Sequence, residues 1–335
     1  MSIAQAKALA RCYIKSRIPV MLWGPPGVGK SEAGDQLAIE DDASLYETRL
    51  SLYESVDIHG LPHIVDSNVV WAMPDMFAAL WKLANESPGR KIYWFLDEVN
   101  VALPAVMAAS MQLVLNRRIG PHCLPDEVEI LAAGNRQKDR SSANRMPLAF
   151  GARFGHVDVE PDADEVRRYA TAQQWDPRVI GFLTWRPNLV HAMPKDDNPR
   201  FPSPRSWERV SRGVAGVPDH LRMLWVAGLV GEGASAEFET FFSAATRVPK
   251  LEDIIKDPRG HWVPGDADPA MQCATATLIS LSATRQNIDP ILTYADRLPK
   301  DLNVMAAMDM TNRDKTLLQT GAFTAWAGRN RDVAA

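Results

Sequence analysis

Apolar residues in the first half of the chain cluster in short runs, at residues 18–23, 91–96 and 129–133, with a shorter segment at 157–159. Glycine, proline or charged residues bound these runs, which is typical of buried strands in a parallel sheet. Between them, helical spacing of apolar residues covers residues 4–16, 75–85 and 103–115. Strands that alternate with helices predict an α/β domain, a parallel sheet flanked by helices.

The pattern changes after residue 160, where strand-like runs disappear and helical patterns rich in Trp and Leu take over. Proline-rich stretches at residues 194–204 and 257–269 interrupt these patterns. Such shifts predict three parts. They are a core domain over residues 1–158, a helical domain over 159–250 and a helical C-terminal extension of unknown role over 251–335.

Composition adds limits on function. The 335 residues are 46% hydrophobic and 23% charged with a net charge of -4, so no overall basic field favours nucleic acid. The three cysteines are widely spaced and form neither a disulfide framework nor a zinc motif, which predicts a reducing cytoplasm. No segment is apolar for long enough to cross a bilayer, so we expect no membrane segment.

A complete phosphate-binding motif follows the first apolar run. Its members are Gly24, Pro25, Pro26, Gly27, Val28, Gly29, Lys30 and Ser31. Glycines let the loop wrap closely around phosphates, and the start of the next helix favours negative charge. In this motif the lysine contacts the β and γ phosphates, and the serine hydroxyl binds Mg²⁺. The sequence therefore predicts a nucleotide site in which Lys30 and Ser31 have these roles.

The most apolar strand, residues 92–96, ends in the acidic pair Asp97 and Glu98. A strand that ends beside a phosphate loop can place a carboxylate where it holds Mg²⁺, so Asp97 is predicted as a metal-binding residue with Ser31. Glu98 is then placed to orient and deprotonate the attacking water. The pair favours hydrolysis of ATP to ADP and phosphate over transfer of phosphate to an acceptor.

With these motifs the sequence resembles the AAA+ superfamily, and within it the MoxR-like branch, over residues 15–215. The resemblance is carried by Gly-Pro-Pro-Gly-Val-Gly-Lys-Ser at 24–31, by Asp-Glu-Val-Asn at 97–100 and by Val-Asp-Ile-His-Gly-Leu-Pro at 56–62. It implies an AAA+ P-loop core followed by an α-helical lid. The predicted helical extension after residue 250 lies outside the resemblance. In the Leu-Ala-Ala-Gly-Asn segment at 131–135 it implies that Asn135 senses the γ-phosphate.

The resemblance also assigns roles to three arginines. Arg153, in Gly-Ala-Arg-Phe at 151–154, matches an arginine finger that reaches the ATP of the neighbouring subunit, although Ala152 stands where the family usually has aspartate. Arg145 is a rival finger or a second arginine at the subunit interface. Arg205, in Pro-Ser-Pro-Arg-Ser-Trp at 202–207, matches the lid arginine that contacts the γ-phosphate within one subunit. Positive charge at these points suits the phosphoryl transition state.

By this resemblance the protein is a ring ATPase, expected as a hexamer, that remodels or activates a partner protein with ATP and Mg²⁺. The partner could be a protein with a von Willebrand factor A domain. A nucleic-acid motor or loader and a low-turnover ATP-dependent switch stay open as alternatives. The acidic net charge argues against the first of these alternatives, and Glu98 against the second.

Overall fold

The computed structural model describes residues 1–136, 139, 144, 146–194, 196 and 198–330. These residues form two compact units, of which the first is Met1–Pro161 and the second begins at Asp162.

The first unit contains both helices and strands. Its strands are β1 (Val20–Trp23), β2 (Ser44–Arg49), β3 (Pro62–Val65), β4 (Asn68–Trp71), β5 (Ile92–Asp97), β6 (Arg118–Ile119), β7 (His122–Cys123), β8 (Val128–Gly134) and β9 (Gly155–Asp158). Its helices are α1 (Ile3–Lys15), α2 (Lys30–Glu40), α3 (Ser55–His59), α4 (Asp75–Glu86), α5 (Pro104–Asn116) and α6 (Leu148–Gly151).

Five of the strands form one parallel sheet in the order β2-β5-β8-β1-β9. This confirms the predicted α/β fold. Strand β8 lies between β1 and β5, so the segments that follow these three strands meet at the carboxyl edge of the sheet. The edge strand β2 was not predicted. Only Thr48 of its six residues is buried, so the strand lacks the apolar run that identified the others.

Alternate residues of each strand enter two hydrophobic cores, one on each face of the sheet. Val20 and Leu22 pack with apolar residues of α1 and α2, whereas Met21 packs with those of α4 and α5. The same alternation separates Tyr93 from Trp94, and the buried Trp94 indole N–H donates to the Thr48 hydroxyl at 2.8 Å. Helices therefore cover both faces, and the carboxyl edge is left for the site.

Strands β3 and β4 pair antiparallel and form a short hairpin. Asp66 and Ser67 have φ values of +46° and +62°, which suit a two-residue turn. All eight strand residues are exposed, so the hairpin adds nothing to either core.

The second unit is helical throughout the part that the structure describes, as the sequence predicted. Its α-helices are α7 (Ala163–Ala172), α8 (Pro177–Trp185), α9 (Pro204–Gly213), α10 (Asp219–Val230), α11 (Glu232–Ala245), α12 (Leu251–Lys256), α13 (Pro269–Ser282), α14 (Ile288–Ala295), α15 (Lys300–Arg313) and α16 (Gly321–Arg329). None of the described helices is long and apolar enough to cross a membrane.

Two hydrophobic clusters fill this helical unit. One contains the fully buried Trp207, whose indole N–H donates to the Leu189 carbonyl oxygen at 2.7 Å. The other surrounds Tyr294 and Trp326. Helix α13 contributes to both clusters. The predicted boundaries near residues 158 and 250 stay predictions.

Candidate active site

The loop of residues 24–29 connects β1 to α2 at the carboxyl edge of the sheet. Gly27 and Gly29 have φ values of +77° and +103°, a region that side chains disfavour. A Cβ atom on Gly24 would lie 2.8 Å from the Val159 carbonyl oxygen, so only glycine fits there. The loop precedes the N-terminus of α2 directly, an arrangement that favours a bound anion.

Lys30, the first residue of α2, is 8% exposed and turns back over the loop. Its ammonium group donates to the carbonyl oxygens of Gly24 at 2.8 Å and Pro25 at 3.1 Å, and to Asn135 Oδ1 at 2.8 Å. The remaining loop residues are the partly exposed Pro26 and the buried Val28. The structure thus brings Asn135, 105 positions away in sequence, to the lysine of the phosphate loop.

The acidic pair at the end of β5 faces the same loop. The Ser31 hydroxyl donates to Asp97 Oδ2 at 2.9 Å, and the backbone N–H of Glu98 donates to Asp97 Oδ1 at 2.8 Å. Glu98 itself is exposed and has a φ of +53°. Its Oε2 accepts a hydrogen bond from the Ser51 hydroxyl at 2.8 Å. Asp97 is therefore held against the start of α2, and Glu98 projects beside it.

Ser31 and Asp97 have the chemistry that Mg²⁺ requires. Both offer oxygen, the ligand that Mg²⁺ prefers, and they already lie within hydrogen-bond distance of each other. Among the described residues no group of three or more His, Cys, Asp or Glu side chains could hold a metal. A magnesium ion bound here would therefore depend on one carboxylate, one hydroxyl and the phosphates of a nucleotide, which is its usual coordination.

Asn100 is a site residue whose role the sequence analysis missed. It is 2% exposed, and its side-chain amide forms two hydrogen bonds with the backbone of Asn135. Nδ2 donates to the Asn135 carbonyl oxygen at 2.6 Å, and Oδ1 accepts from the Asn135 N–H at 3.1 Å. Asn100 thus fixes the backbone from which the Asn135 side chain reaches Lys30. The signal for it in the sequence is its place as the last residue of the Asp-Glu-Val-Asn segment at 97–100.

The three arginines with predicted roles lie in different parts of the chain. Arg153 is partly exposed in the turn between α6 and β9, and its Nη1 donates to the Ala149 carbonyl oxygen. Its Nε is buried and has no hydrogen-bond partner among the described residues. Arg205 is exposed in the first turn of α9, in the second unit. Arg145 lies outside the described residues. The roles predicted for these arginines remain predictions.

An open cleft of about 440 Å³ lies beside Asn135, at the ends of β1, β8 and β9. Its lining residues are Trp23, Asn100, Asn135, Arg136, Asn144, Met146, His156 and Asp158. The Arg136 guanidinium bonds to Glu160 and Asp139, and these carboxylates hold its pKa above the ordinary arginine value. Its charge is therefore already balanced within the first unit.

No family model matches the sequence, and no curated protein matches it. Solved structures with a similar arrangement include the RuvB Holliday junction branch migration motor of Thermotoga maritima. That match has 17% identity and a TM-score of 0.41, and it covers 76% of this chain and 74% of that one. NtrX from Brucella abortus matches at 12% identity with a TM-score of 0.39, over 94% of this chain and 64% of that one.

Proposed function

We propose that this chain is an ATPase of the AAA+ type that binds ATP with Mg²⁺ and hydrolyses it to ADP and phosphate. One observation carries the proposal. Lys30, Ser31, Asp97 and Asn135 come from three separate segments and are joined by hydrogen bonds of 2.8 to 2.9 Å at one edge of the sheet. A phosphate loop that meets both an acidic strand end and a polar amide is equipped for hydrolysis as well as binding.

Each side chain has a distinct task in this proposal. Lys30 and the loop N–H groups hold the phosphates, and Ser31 and Asp97 supply ligands for Mg²⁺. The ion, when bound, neutralises charge that develops on the phosphates. Glu98 orients and deprotonates the attacking water, and Asn135 holds that water or the γ-phosphate in line.

The proposal extends to the assembly. Subunits form a ring, expected as a hexamer, in which Arg153 completes the site of the neighbouring subunit and Arg205 senses the γ-phosphate from the helical lid. Arg145 is the alternative finger. The resemblance of residues 24–31, 97–100 and 131–135 to MoxR-like proteins supports a chaperone-like remodeller of a partner protein, with a von Willebrand factor A domain protein as one candidate.

The exchange Glu98→Gln tests the catalytic part of the proposal. It removes the base and keeps the shape of the side chain, so ATP affinity should stay within about twofold while turnover falls by about 100-fold or more. Glu86→Gln, on the exposed face of α4, is the matched control and should turn over ATP normally. Unchanged hydrolysis in Glu98→Gln would show that the base lies elsewhere.

A second experiment tests the assembly and the client. Arg153→Ala should bind ATP and lose activity, and mixing it with Glu98→Gln subunits should restore part of the turnover if the arginine acts in trans. Full activity of Arg153→Ala would assign the finger to Arg145. The Glu98→Gln protein with ATP should also retain its partner in a pull-down. Stimulation of wild-type turnover by DNA, lost at high salt, would favour the nucleic-acid motor instead.

A further inference from the structure

Trp23 and His156 form a hydrogen-bonded pair, and both side chains line the open cleft. Trp23 ends β1 immediately before the phosphate loop, and His156 lies on the neighbouring strand β9. The indole Nε1 and the imidazole Nδ1 are 2.7 Å apart, and the two ring planes are nearly parallel, with an angle of 13° between them. The pair therefore links the strand that leads into the loop with the strand that follows Arg153.

The directions of the hydrogen bonds follow from the chemistry of the two rings. An indole N–H can only donate, so Nδ1 of His156 accepts and the ring proton sits on Nε2. That nitrogen lies 2.9 Å from the Gly151 carbonyl oxygen and donates to it. Gly151 is the last residue of α6, and its carbonyl oxygen also accepts from the Phe154 N–H at 3.1 Å. His156 thus holds the turn that contains Arg153 from one side.

The other end of the pair reaches the phosphate loop. Gly24 follows Trp23 directly, and its carbonyl oxygen accepts a hydrogen bond from Lys30 at 2.8 Å. A Cβ atom on Gly24 would lie 2.8 Å from the carbonyl oxygen of Val159, the residue that follows β9, so the two backbones lie close together. A shift of Lys30 or of the loop would therefore be transmitted to Trp23, and through His156 to the turn at Gly151.

We propose that Trp23 and His156 are positioning residues that couple the phosphate loop of a subunit to the arginine that the same subunit presents to its neighbour. The inference rests on the proposed function, because it assigns Arg153 as the finger. In a ring, the coupling makes the hydrolysis of one ATP depend on occupancy of the next site. It predicts effects on turnover and cooperativity and none on ATP affinity.

The experiment compares Trp23→Phe, which removes the indole N–H, with His156→Leu, which removes both bonds of the imidazole. Because each variant breaks the link between the two strands, kcat should fall about three- to tenfold. The Kd for a non-hydrolysable ATP analogue should stay within about twofold, and the Hill coefficient for ATP should approach one. His156→Gln, whose amide can still donate to Gly151, should lie between His156→Leu and the wild type.

A double-mutant cycle tests whether the two residues act as one unit. Trp23→Phe combined with His156→Leu should be no worse than His156→Leu alone, because both remove the same link. His220→Leu, at an exposed position of α10, is the matched control and should behave as the wild type. His156 is itself exposed, so its replacement should not unfold the chain.

Several outcomes would overturn the coupling. One is a wild-type kcat and Hill coefficient in His156→Leu. Another is a loss of ATP affinity in His156→Leu equal to its loss of kcat. Full activity of Arg153→Ala would remove the end point of the relay. None of these results requires failure of the proposed function, which is measured separately as hydrolysis by the wild-type protein. Strictly additive effects of the two substitutions would show that the residues stabilise the sheet independently.

Discussion

Asn100→Ala should release the backbone that carries the predicted γ-phosphate sensor. The substitution removes both side-chain hydrogen bonds to Asn135, of 2.6 and 3.1 Å, and introduces no larger group. The backbone N–H of Asn144, which donates to the Asn100 carbonyl oxygen, keeps its bond. The loss is therefore confined to the contact with Asn135.

The magnitude follows from the burial of the two residues. A buried polar group left without a partner costs about 1 to 3 kcal/mol, but Asn135 is partly exposed and water can replace part of the loss. We expect about 1 to 2 kcal/mol of lost local stability, which corresponds to about 5- to 30-fold faster opening of this segment. Because Asn135 also bonds Lys30, kcat for ATP should fall by about tenfold.

Hydrogen exchange measures this effect at its source. The backbone N–H of Asn135 should exchange faster in Asn100→Ala, whereas the backbone N–H groups of the helical unit should keep their protection. Asn85→Ala, on an exposed part of α4, is the matched control and should change neither exchange at Asn135 nor kcat. Gly134→Ala offers an independent probe, because its Cβ would lie 2.6 Å from Asn100 Oδ1 and displace the side-chain amide of Asn100. Wild-type protection and kcat in both Asn100→Ala and Gly134→Ala would refute the reasoning.

Two further predictions concern the loop and the catalytic base. Gly29→Ala places a Cβ atom at a φ of +103° and 3.1 Å from Ile3, so ATP affinity measured by calorimetry should fall. Gly89→Ala is the matched control, because Gly89 also has a positive φ but lies in open space, and it should leave the affinity unchanged. Normal affinity in Gly29→Ala would contradict the loop assignment. Ser51→Ala removes the only hydroxyl that donates to the Glu98 carboxylate among the described residues, so kcat should fall about three- to tenfold while ATP affinity stays unchanged. Equal changes in kcat and affinity would show that Ser51 does not act by positioning Glu98.

The sequence predicted those parts of the fold that local patterns encode. The buried strands β1, β5 and β8 are apolar runs, and the loop at 24–29 is a complete motif, so the segments of the site could be located in advance. Strand β2 could not, because it lies at the sheet edge and buries only Thr48. Its absence from the prediction also hid Ser51, which follows this strand and reaches Glu98.

The contacts within the site depend on sheet order, which no local pattern specifies. Because β8 lies between β1 and β5, Asn135 meets Lys30 and Asn100 meets the backbone of Asn135. The family resemblance predicted a role for Asn135, but it gave no indication of the Asn100 contact. The link from Trp23 to His156 likewise exists only because β1 and β9 are adjacent.

The central claim is that the phosphate loop binds ATP through Lys30 and that the acidic edge then hydrolyses it. Phosphate release with ATP and Mg²⁺ tests it most directly, in the wild-type protein, in Lys30→Ala and in Lys82→Ala, whose lysine is largely exposed on α4. We predict that the wild type and Lys82→Ala release phosphate and that this release stops when Mg²⁺ is chelated. Lys30→Ala should neither bind ATP nor release phosphate. Normal ATP affinity and turnover in Lys30→Ala would contradict the account.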